Sequence, residues 1–220
     1  MNKNYYVFRI SKGSPSGSPE SSCPIEYTEE RANEIFNNAD KMAKNSIPYD
    51  TNKYQDYLHN ELWEHGRLRQ GWGSKGLSLD VCPSKDNVCS EWIENFMIAM
   101  KRDWNHDLEK GIDYCHIASG RYNILKHMRY MKKGDILIVP RHSQGKHKDN
   151  TKFTICKVKD LYSFDVNKKY RDFGHILGVD ILGSINYNSA SIRALTFKPY
   201  GKAIVRIRDE ELIKQIEDKI

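Results

Sequence analysis

The feature that most constrains the fold is a tight turn that leads into a short apolar strand, Gly134-Asp135-Ile136-Leu137-Ile138-Val139-Pro140. Glycine and aspartate favour turns, and an apolar, partly β-branched run between polar segments predicts a buried strand. Residues 153–159 predict a second strand, and a polar, basic connection joins the two. The pattern therefore predicts a hairpin-like pair of strands with charge at the tip of its loop.

The rest of the chain predicts both strands and helices. Aromatic and β-branched runs predict strands over residues 5–11, 173–181 and 203–207. Apolar spacing predicts helices from residue 28 to before Pro48, over 88–108 and over 210–219, with a helix or extended loop over 54–63. Short helices or turns are expected over 119–131 and 189–195, and residues 160–165 are expected to lead away from the second strand. Together these elements predict an α+β fold with a small curved sheet or β-barrel, flanking helices and a helical insertion at about 25–130.

Composition restricts the cellular setting. The chain has 220 residues, of which 39% are hydrophobic and 29% are charged, a balance expected of a single globular domain over 1–220. Its longest apolar runs are only a few residues, far below the roughly 20 needed to span a bilayer, and the first residues contain no apolar signal region. We therefore expect a cytoplasmic protein with no membrane partner.

The five cysteines, Cys23, Cys82, Cys89, Cys115 and Cys156, are widely spaced and form no Cys-x-x-Cys pair. Structural zinc sites usually need closely spaced ligands. The sequence therefore predicts reduced, mostly buried thiols, with no metal and no cofactor.

Positive charge is concentrated in one window. Between Lys126 and Lys152 there are eight lysines and arginines and two acids, an excess equal to the net charge of +6 for the whole chain. His127, His142 and His147 lie in the same window. Such a basic patch is typical of proteins that bind polyanions, although a solvated lysine-rich surface would look the same.

A second unusual segment is Gly66-Arg67-Leu68-Arg69-Gln70-Gly71-Trp72-Gly73. Glycine allows close approach of the backbone, arginine offers a planar set of donors, and tryptophan offers a flat face. This mixture favours the wall of a pocket for a planar ligand with an anionic backbone, such as a nucleotide, and Trp63 could supply a second ring. The alternative is a buried strand whose arginines pair with acids.

The order of these pieces resembles the PUA-like superfamily, which includes the EVE, YTH, ASCH and SRA domains. The resemblance runs over residues 5–207 and is carried by an aromatic first strand, a strand that ends in Trp72, the segment Met131-Lys132-Lys133-Gly134-Asp135-Ile136, and the strand that begins at Phe153. It implies a small barrel that holds a modified base in an aromatic cage. Such domains serve as recognition modules in McrB-type restriction and related defence systems. Of the cage residues only Trp72 carries over, because it stands where YTH-type cage tryptophans stand.

The sequence therefore predicts a non-catalytic module that reads a flipped and methylated base, with DNA favoured over RNA and a nuclease or NTPase subunit or domain as partner. Stacking and hydrogen bonds to the base edge would offset the cost of flipping. The predicted base pocket consists of Trp63, Gln70, Trp72, Asp172 and Phe173. The predicted contacts to the nucleic-acid backbone are Arg67, Arg69, Arg141, His142, Lys146, His147, Lys148 and Lys152.

Two other functions stay open. A metal-dependent nuclease could use His106 and Asp107, and a protein-interaction module could present its basic surface to an acidic partner. For residues 172–175 the alternative to a pocket edge is a turn with a packed phenylalanine. A restriction-nuclease core is not indicated, because Ile155 stands where that core needs a carboxylate two residues before Lys157.

Overall fold

The computed structural model describes residues 3–10, 27–43, 51–81, 88–104, 106, 113–144, 149, 151–166, 172–187 and 203–220. These residues form a mixed α+β fold with one six-stranded sheet and five helices. In chain order the elements are β1 Tyr5–Phe8, α1 Glu29–Asp40, α2 Thr51–Trp63, β2 Arg67–Gln70, α3 Ser90–Arg102, α4 Tyr114–Tyr130, β3 Ile136–Pro140, β4 Lys152–Phe164, β5 His175–Asn186, β6 Ile204–Ile207 and α5 Glu210–Glu217.

The sheet has the strand order β2-β5-β4-β3-β1-β6. β3, β4 and β5 follow one another as antiparallel neighbours. β1 lies parallel to β3, and the chain between them, which includes α1 to α4 and β2, is long enough for the crossover that a parallel pair requires. Among the described strands, β2 and β6 are the two edges and do not pair with each other, so the sheet is open and not a closed barrel. The α+β class predicted from the sequence is confirmed.

Two hydrophobic cores cover the two faces of the central strands. The larger core packs α1, α3 and α4 against one face and contains Tyr6, Phe8, Leu137 and Val139. The smaller core packs α5 against the other face, where the alternate residues of the same strands point. The aromatic residues of α3 belong to the larger core, where Trp92 and Phe96 are almost fully buried.

The Gly-Asp turn before β3 is fastened to the first strand by a buried carboxylate. Asp135 accepts hydrogen bonds from the backbone N–H of Asn4 at 2.9 Å and from that of Lys132 at 2.9 Å. Gly134 supplies a positive φ of 92°, which glycine adopts without steric cost. The turn therefore sets the register in which β1 and β3 run side by side.

Strand β4 is longer than the sequence predicted. β4 does not end at residue 159 but pairs with β5 through Phe164, and residues 160–164 belong to it. Irregularities in the pairing at Val158/Asp160 and Asp160/Ser163 break the alternation of apolar and polar residues, which is why the pattern hid the second half of the strand. The predicted helical turn at 189–195 lies outside the described residues.

The short helix or turn expected over 119–131 is instead the 17-residue helix α4. Its N-cap is Asp113, whose side chain accepts a hydrogen bond from the backbone N–H of His116 at 2.9 Å. Ser119 and Gly120 near its middle lower the intrinsic helix propensity. Burial of Tyr114, Tyr122 and Leu125 against the larger core outweighs this weakness.

The cysteines are not all reduced, contrary to the sequence-based expectation. Cys89 and Cys156 are free thiols, whereas the buried Cys115 is disulfide-bonded. Cys23 and Cys82 lie outside the described residues. Burial raises the pKa of the Cys156 thiol to about 12, so this thiol stays protonated at neutral pH.

Candidate ligand site at the ends of β2 and β5

The predicted pocket residues meet where β2 ends and β5 begins. Gln70 pairs with His175 in the antiparallel register of these strands. Just beyond the pair, Trp72 has a φ of 73° and Phe173 has a φ of 59°. Positive φ is uncommon for bulky residues and costs on the order of 1–3 kcal/mol for each residue. Two such residues at one pair of strand ends mark a locally strained backbone.

Asp172 holds the two strained segments together. Its Oδ1 accepts hydrogen bonds from the backbone N–H of Gly73 at 2.9 Å and from that of Phe173 at 2.5 Å. A side chain at Gly73 would meet the backbone nitrogen of Gly174 at 2.9 Å, so the two backbones pack without space between them. Oδ1 of Asp172 thus accepts from two backbone N–H groups and has a structural role. A contact of this carboxylate with a base edge, which the sequence predicted, would come in addition to that role.

The rings of Trp72 and Phe173 lie in different hydrophobic clusters. Trp72 belongs to the larger core and is 3% exposed, and the guanidinium of Arg121 on α4 lies 4.8 Å from the centre of its ring. Its indole Nε1 is buried and has no hydrogen-bond acceptor within the described part of the chain. Phe173 packs with Tyr54 and Leu58 of α2. The alternative of a turn with a packed phenylalanine therefore describes Phe173 well.

His175 stands at the centre of the site and was not among the predicted pocket residues. Its imidazole is fully buried and contacts the rings of Tyr162 and Phe164, with centroid distances of 6.0 and 5.0 Å. Burial lowers the pKa of His175 to about 3, and the backbone carbonyl of Trp72 beside the ring opposes this shift only in part. The imidazole is therefore neutral at physiological pH.

A chain of hydrogen bonds fixes the orientation of this imidazole. The Tyr162 hydroxyl donates to Oδ1 of Asp80 at 2.7 Å and accepts from the backbone N–H of Val81 at 3.2 Å. It also lies 3.0 Å from Nδ1 of His175. Desolvation strongly raises the pKa of Tyr162, so the phenol keeps its proton.

The two arginines of β2 lie in different environments. Arg69 is 3% exposed; its Nε donates to Oε2 of Glu61 at 2.5 Å, and its Nη1 donates to the carbonyls of Asp165 and Phe173, both at 3.0 Å. The alternative of an arginine paired with an acid therefore fits Arg69. Arg67 is half exposed and 3.8 Å from the same Glu61 carboxylate, so its side chain can still reach a ligand.

Three of the predicted contacts to the nucleic-acid backbone, Arg141, His142 and Lys152, lie at the hairpin between β3 and β4. Arg141 is exposed, has a φ of 60°, and donates its backbone N–H to the carbonyl of Lys152 at 3.1 Å. Burial and the neighbouring Arg141 lower the pKa of Arg9, which follows β1 and was not predicted as a site residue. The two guanidinium groups are therefore close enough for their charges to repel each other. Lys146, His147 and Lys148 lie outside the described residues.

Helix α2 connects the basic hairpin with the strand ends. His59 stacks on His142 at a centroid distance of 6.3 Å and lies 6.2 Å from Trp63. Tyr54 on the same helix stacks on Phe173 at 5.7 Å. Trp63 is half-buried, and its Nε1 has no hydrogen-bond acceptor among the described residues. Trp63 is thus linked to the basic hairpin through His59, and it also packs against the larger core, which contains Trp72. No described ring contact joins the two tryptophans directly.

The alternative of a metal-dependent nuclease depends on His106 and Asp107. His106 is half-buried and donates its backbone N–H to the carbonyl of Met100, whereas Asp107 lies outside the described ranges. Within them, no group of three or more His, Cys, Asp or Glu side chains is arranged to hold a metal ion. None of the described helices is both long and apolar enough to cross a bilayer.

Comparison with known proteins adds no further assignment. No protein-family model matches the sequence, and none of the curated proteins matches it. The resemblance to PUA-like domains therefore stays a prediction from the order of motifs. What the chain does has to be argued from its own residues.

Proposed function

We propose that this chain is a nucleic-acid-binding module of the PUA-like type, which reads a flipped, methylated base in DNA for a restriction or defence system. The observation that carries the proposal is Trp72. Its backbone is strained, its ring is almost fully buried, and its indole N–H lacks an acceptor within the described residues. Strain of this kind clusters at ligand sites, and a buried unpaired donor costs about 1–3 kcal/mol. A ligand that supplies the acceptor removes that cost.

A base would stack on the tryptophan ring in place of an arginine. The Arg121 guanidinium covers one face of Trp72, and burial lowers the pKa of Arg121, which shows that its charge is poorly solvated there. A flipped base is planar like the guanidinium and carries no charge. Exchange would return the Arg121 charge toward solvent and phosphate while keeping the tryptophan face covered.

The basic hairpin would supply the contacts to the backbone of the nucleic acid. Arg9, Arg141, His142 and Lys152 gather there. Phosphate contacts of this kind give affinity that depends on salt but not on sequence. Stacking and edge contacts at Trp72 would then offset the few kcal/mol needed to unstack and unpair the base. The module itself performs no chemistry in this proposal, and a nuclease or NTPase subunit or domain would act after recognition.

The test is binding of the purified chain to matched DNA duplexes that are unmodified, cytosine-methylated or adenine-methylated, at two salt concentrations and without metal. Preference for one modified duplex supports the proposal. Equal affinity for all duplexes would leave only a basic surface, and no binding at either salt would contradict the proposal.

Replacing Trp72 with alanine is expected to abolish the preference for the modified duplex while salt-dependent background binding remains. Loss of stacking is worth about 1–3 kcal/mol, which corresponds to a drop of roughly 5- to 150-fold in affinity for the modified duplex. The control is Trp104→Ala, because Trp104 packs against Phe96 in the same core but lies on neither β2 nor β5. Circular dichroism and thermal melts would verify that both variants fold. Undiminished discrimination in the folded Trp72→Ala variant would place the pocket elsewhere.

Replacing Arg141 and Lys152 together with alanine is expected to weaken binding to all duplexes alike. The slope of log K against log salt should fall by about 2, since each lost phosphate contact contributes about 0.9. The double variant Lys157→Ala and Lys159→Ala is the matched control, because it removes the same charge from exposed positions of β4. An equal loss in both double variants would show a general charge effect and no defined phosphate contacts.

A further inference from the structure

The buried imidazole of His175 has a defined hydrogen-bonding polarity. The single proton of the Tyr162 hydroxyl is used toward Oδ1 of Asp80, which as a carboxylate oxygen can only accept. One lone pair of the hydroxyl oxygen takes the N–H of Val81. The remaining lone pair faces Nδ1 of His175 at 3.0 Å, so Nδ1 has to be the donor. A neutral imidazole with its proton on Nδ1 leaves Nε2 as an acceptor.

This acceptor is unused in the interior of the protein. Nε2 of His175 is buried and makes no hydrogen bond of normal geometry within the described part of the chain, although the Trp72 carbonyl lies beside the ring. A buried acceptor without a donor costs about 1–3 kcal/mol. It lies at the same strand ends as the buried indole donor of Trp72. The two atoms need partners of opposite polarity, and a planar ligand with a donor beside an acceptor carries both kinds of partner.

We infer that Nε2 of His175 is the acceptor that selects a nucleobase with an exocyclic amino group, of the adenine or cytosine class. This inference rests on the proposed function. An amino N–H projects from the ring edge and reaches a recessed acceptor, and the neighbouring ring nitrogen accepts from a donor such as Trp72 Nε1. The imino N–H of uracil or thymine is flanked by two carbonyl oxygens. One of these oxygens would face the Nε2 lone pair, which would repel it.

The polarity of His175 can be measured without a ligand. Nitrogen-15 NMR of the full chain is expected to show a neutral imidazole at pH 7 with the proton on Nδ1 and none on Nε2. A proton on Nε2 would overturn the inference. Tyr162→Phe removes the oxygen that accepts from Nδ1, so the proton is expected to redistribute toward Nε2 while His175 itself is unchanged.

Selectivity is tested by titrating the full chain with nucleosides while the His175 signals are followed. Adenosine is expected to bind at least about tenfold more tightly than purine riboside, which lacks only the amino group, and cytidine more tightly than uridine. Tyr162→Phe should reduce both ratios. Tyr187→Phe is the matched control and should leave both ratios unchanged. It also removes a buried hydroxyl, but that hydroxyl accepts from the backbone N–H of Arg141 at the basic hairpin. Equal affinity within each pair for the unaltered chain would overturn the inference.

Failure of the inference can be told apart from failure of the proposed function. Selective nucleoside binding without any duplex binding would support the role of His175 and contradict the DNA-reading function. Preference for a modified duplex without selection for the amino group would support the DNA-reading function and contradict the role of His175. Absence of binding to nucleosides and duplexes alike would contradict both.

Discussion

Replacing Arg69 with methionine is expected to lower the free energy of unfolding by about 3–5 kcal/mol, because removal of one partner leaves a buried charge uncompensated. The variant leaves the Glu61 carboxylate, which is 7% exposed, without its close cationic partner. It also removes the donor to two backbone carbonyls that accept from the guanidinium. One of these carbonyls belongs to the strained Phe173. The same change is therefore expected to loosen the strand ends that form the candidate site. Urea denaturation monitored by tryptophan fluorescence measures the effect.

Arg67→Met is the matched control for this prediction. Arg67 lies two residues away on the same strand and approaches the same carboxylate, but it is half exposed and 3.8 Å distant. Exposed pairs of this kind are worth about 0–1 kcal/mol. A second variant, Arg69→Met combined with Glu61→Leu, removes both charges and should lose less than Arg69→Met alone. Equal losses for Arg67→Met and Arg69→Met would contradict the assignment of Arg69 as a buried ion-pair partner.

Acid is expected to destabilise the protein through His175. The pKa of this residue is about 3 in the folded state against about 6.5 in an unfolded chain. Between these values the unfolded state binds one more proton, so the free energy of unfolding falls as the pH falls. The loss is about 1.4 kcal/mol per pH unit below pH 6.5, or about 2 kcal/mol between pH 7 and pH 5. Above pH 6.5 the residue adds no pH dependence.

His175→Gln should flatten this dependence by the same amount, because glutamine keeps a polar group of similar length that does not titrate. His65→Gln controls for the loss of a histidine at an exposed position. Urea denaturation of the three proteins at pH 7 and pH 5 gives the comparison. An unchanged loss on acidification of His175→Gln would show that this imidazole does not titrate as its burial implies.

Local signals in the sequence were enough to predict those elements whose conformation depends mainly on neighbouring residues. The turn at Gly134-Asp135 and strand β3 were predicted because a turn sequence and an apolar run act over neighbouring positions. Helix α5 was predicted because Leu212 and Ile216 recur at helical spacing. The second half of β4 was missed because bulges interrupt the alternation there, and that half is held by its long pairing with β5.

The candidate site shows the same division between local and tertiary information. Glycines around a tryptophan marked the segment at residues 66–73. In the structure Gln70 of that segment pairs with His175, the first residue of β5, and the Trp72 carbonyl lies beside the His175 ring. Whether an arginine of that segment is exposed could not be predicted, since Glu61 on α2 approaches Arg69 only after the chain folds. The same holds for Arg121, which reaches Trp72 from α4.

By itself, the sequence determined the α+β class, the central turn and strand, and the segment that contains Trp72. Only the tertiary structure decided which polar groups are buried and what they face. Asp80, Tyr162 and His175 form one hydrogen-bonded chain although Asp80 lies 82 residues from Tyr162 and Tyr162 lies 13 residues from His175. The physical reason is that the polarity of a buried imidazole depends on its neighbours in space, and those neighbours are set by the pairing of β4 with β5.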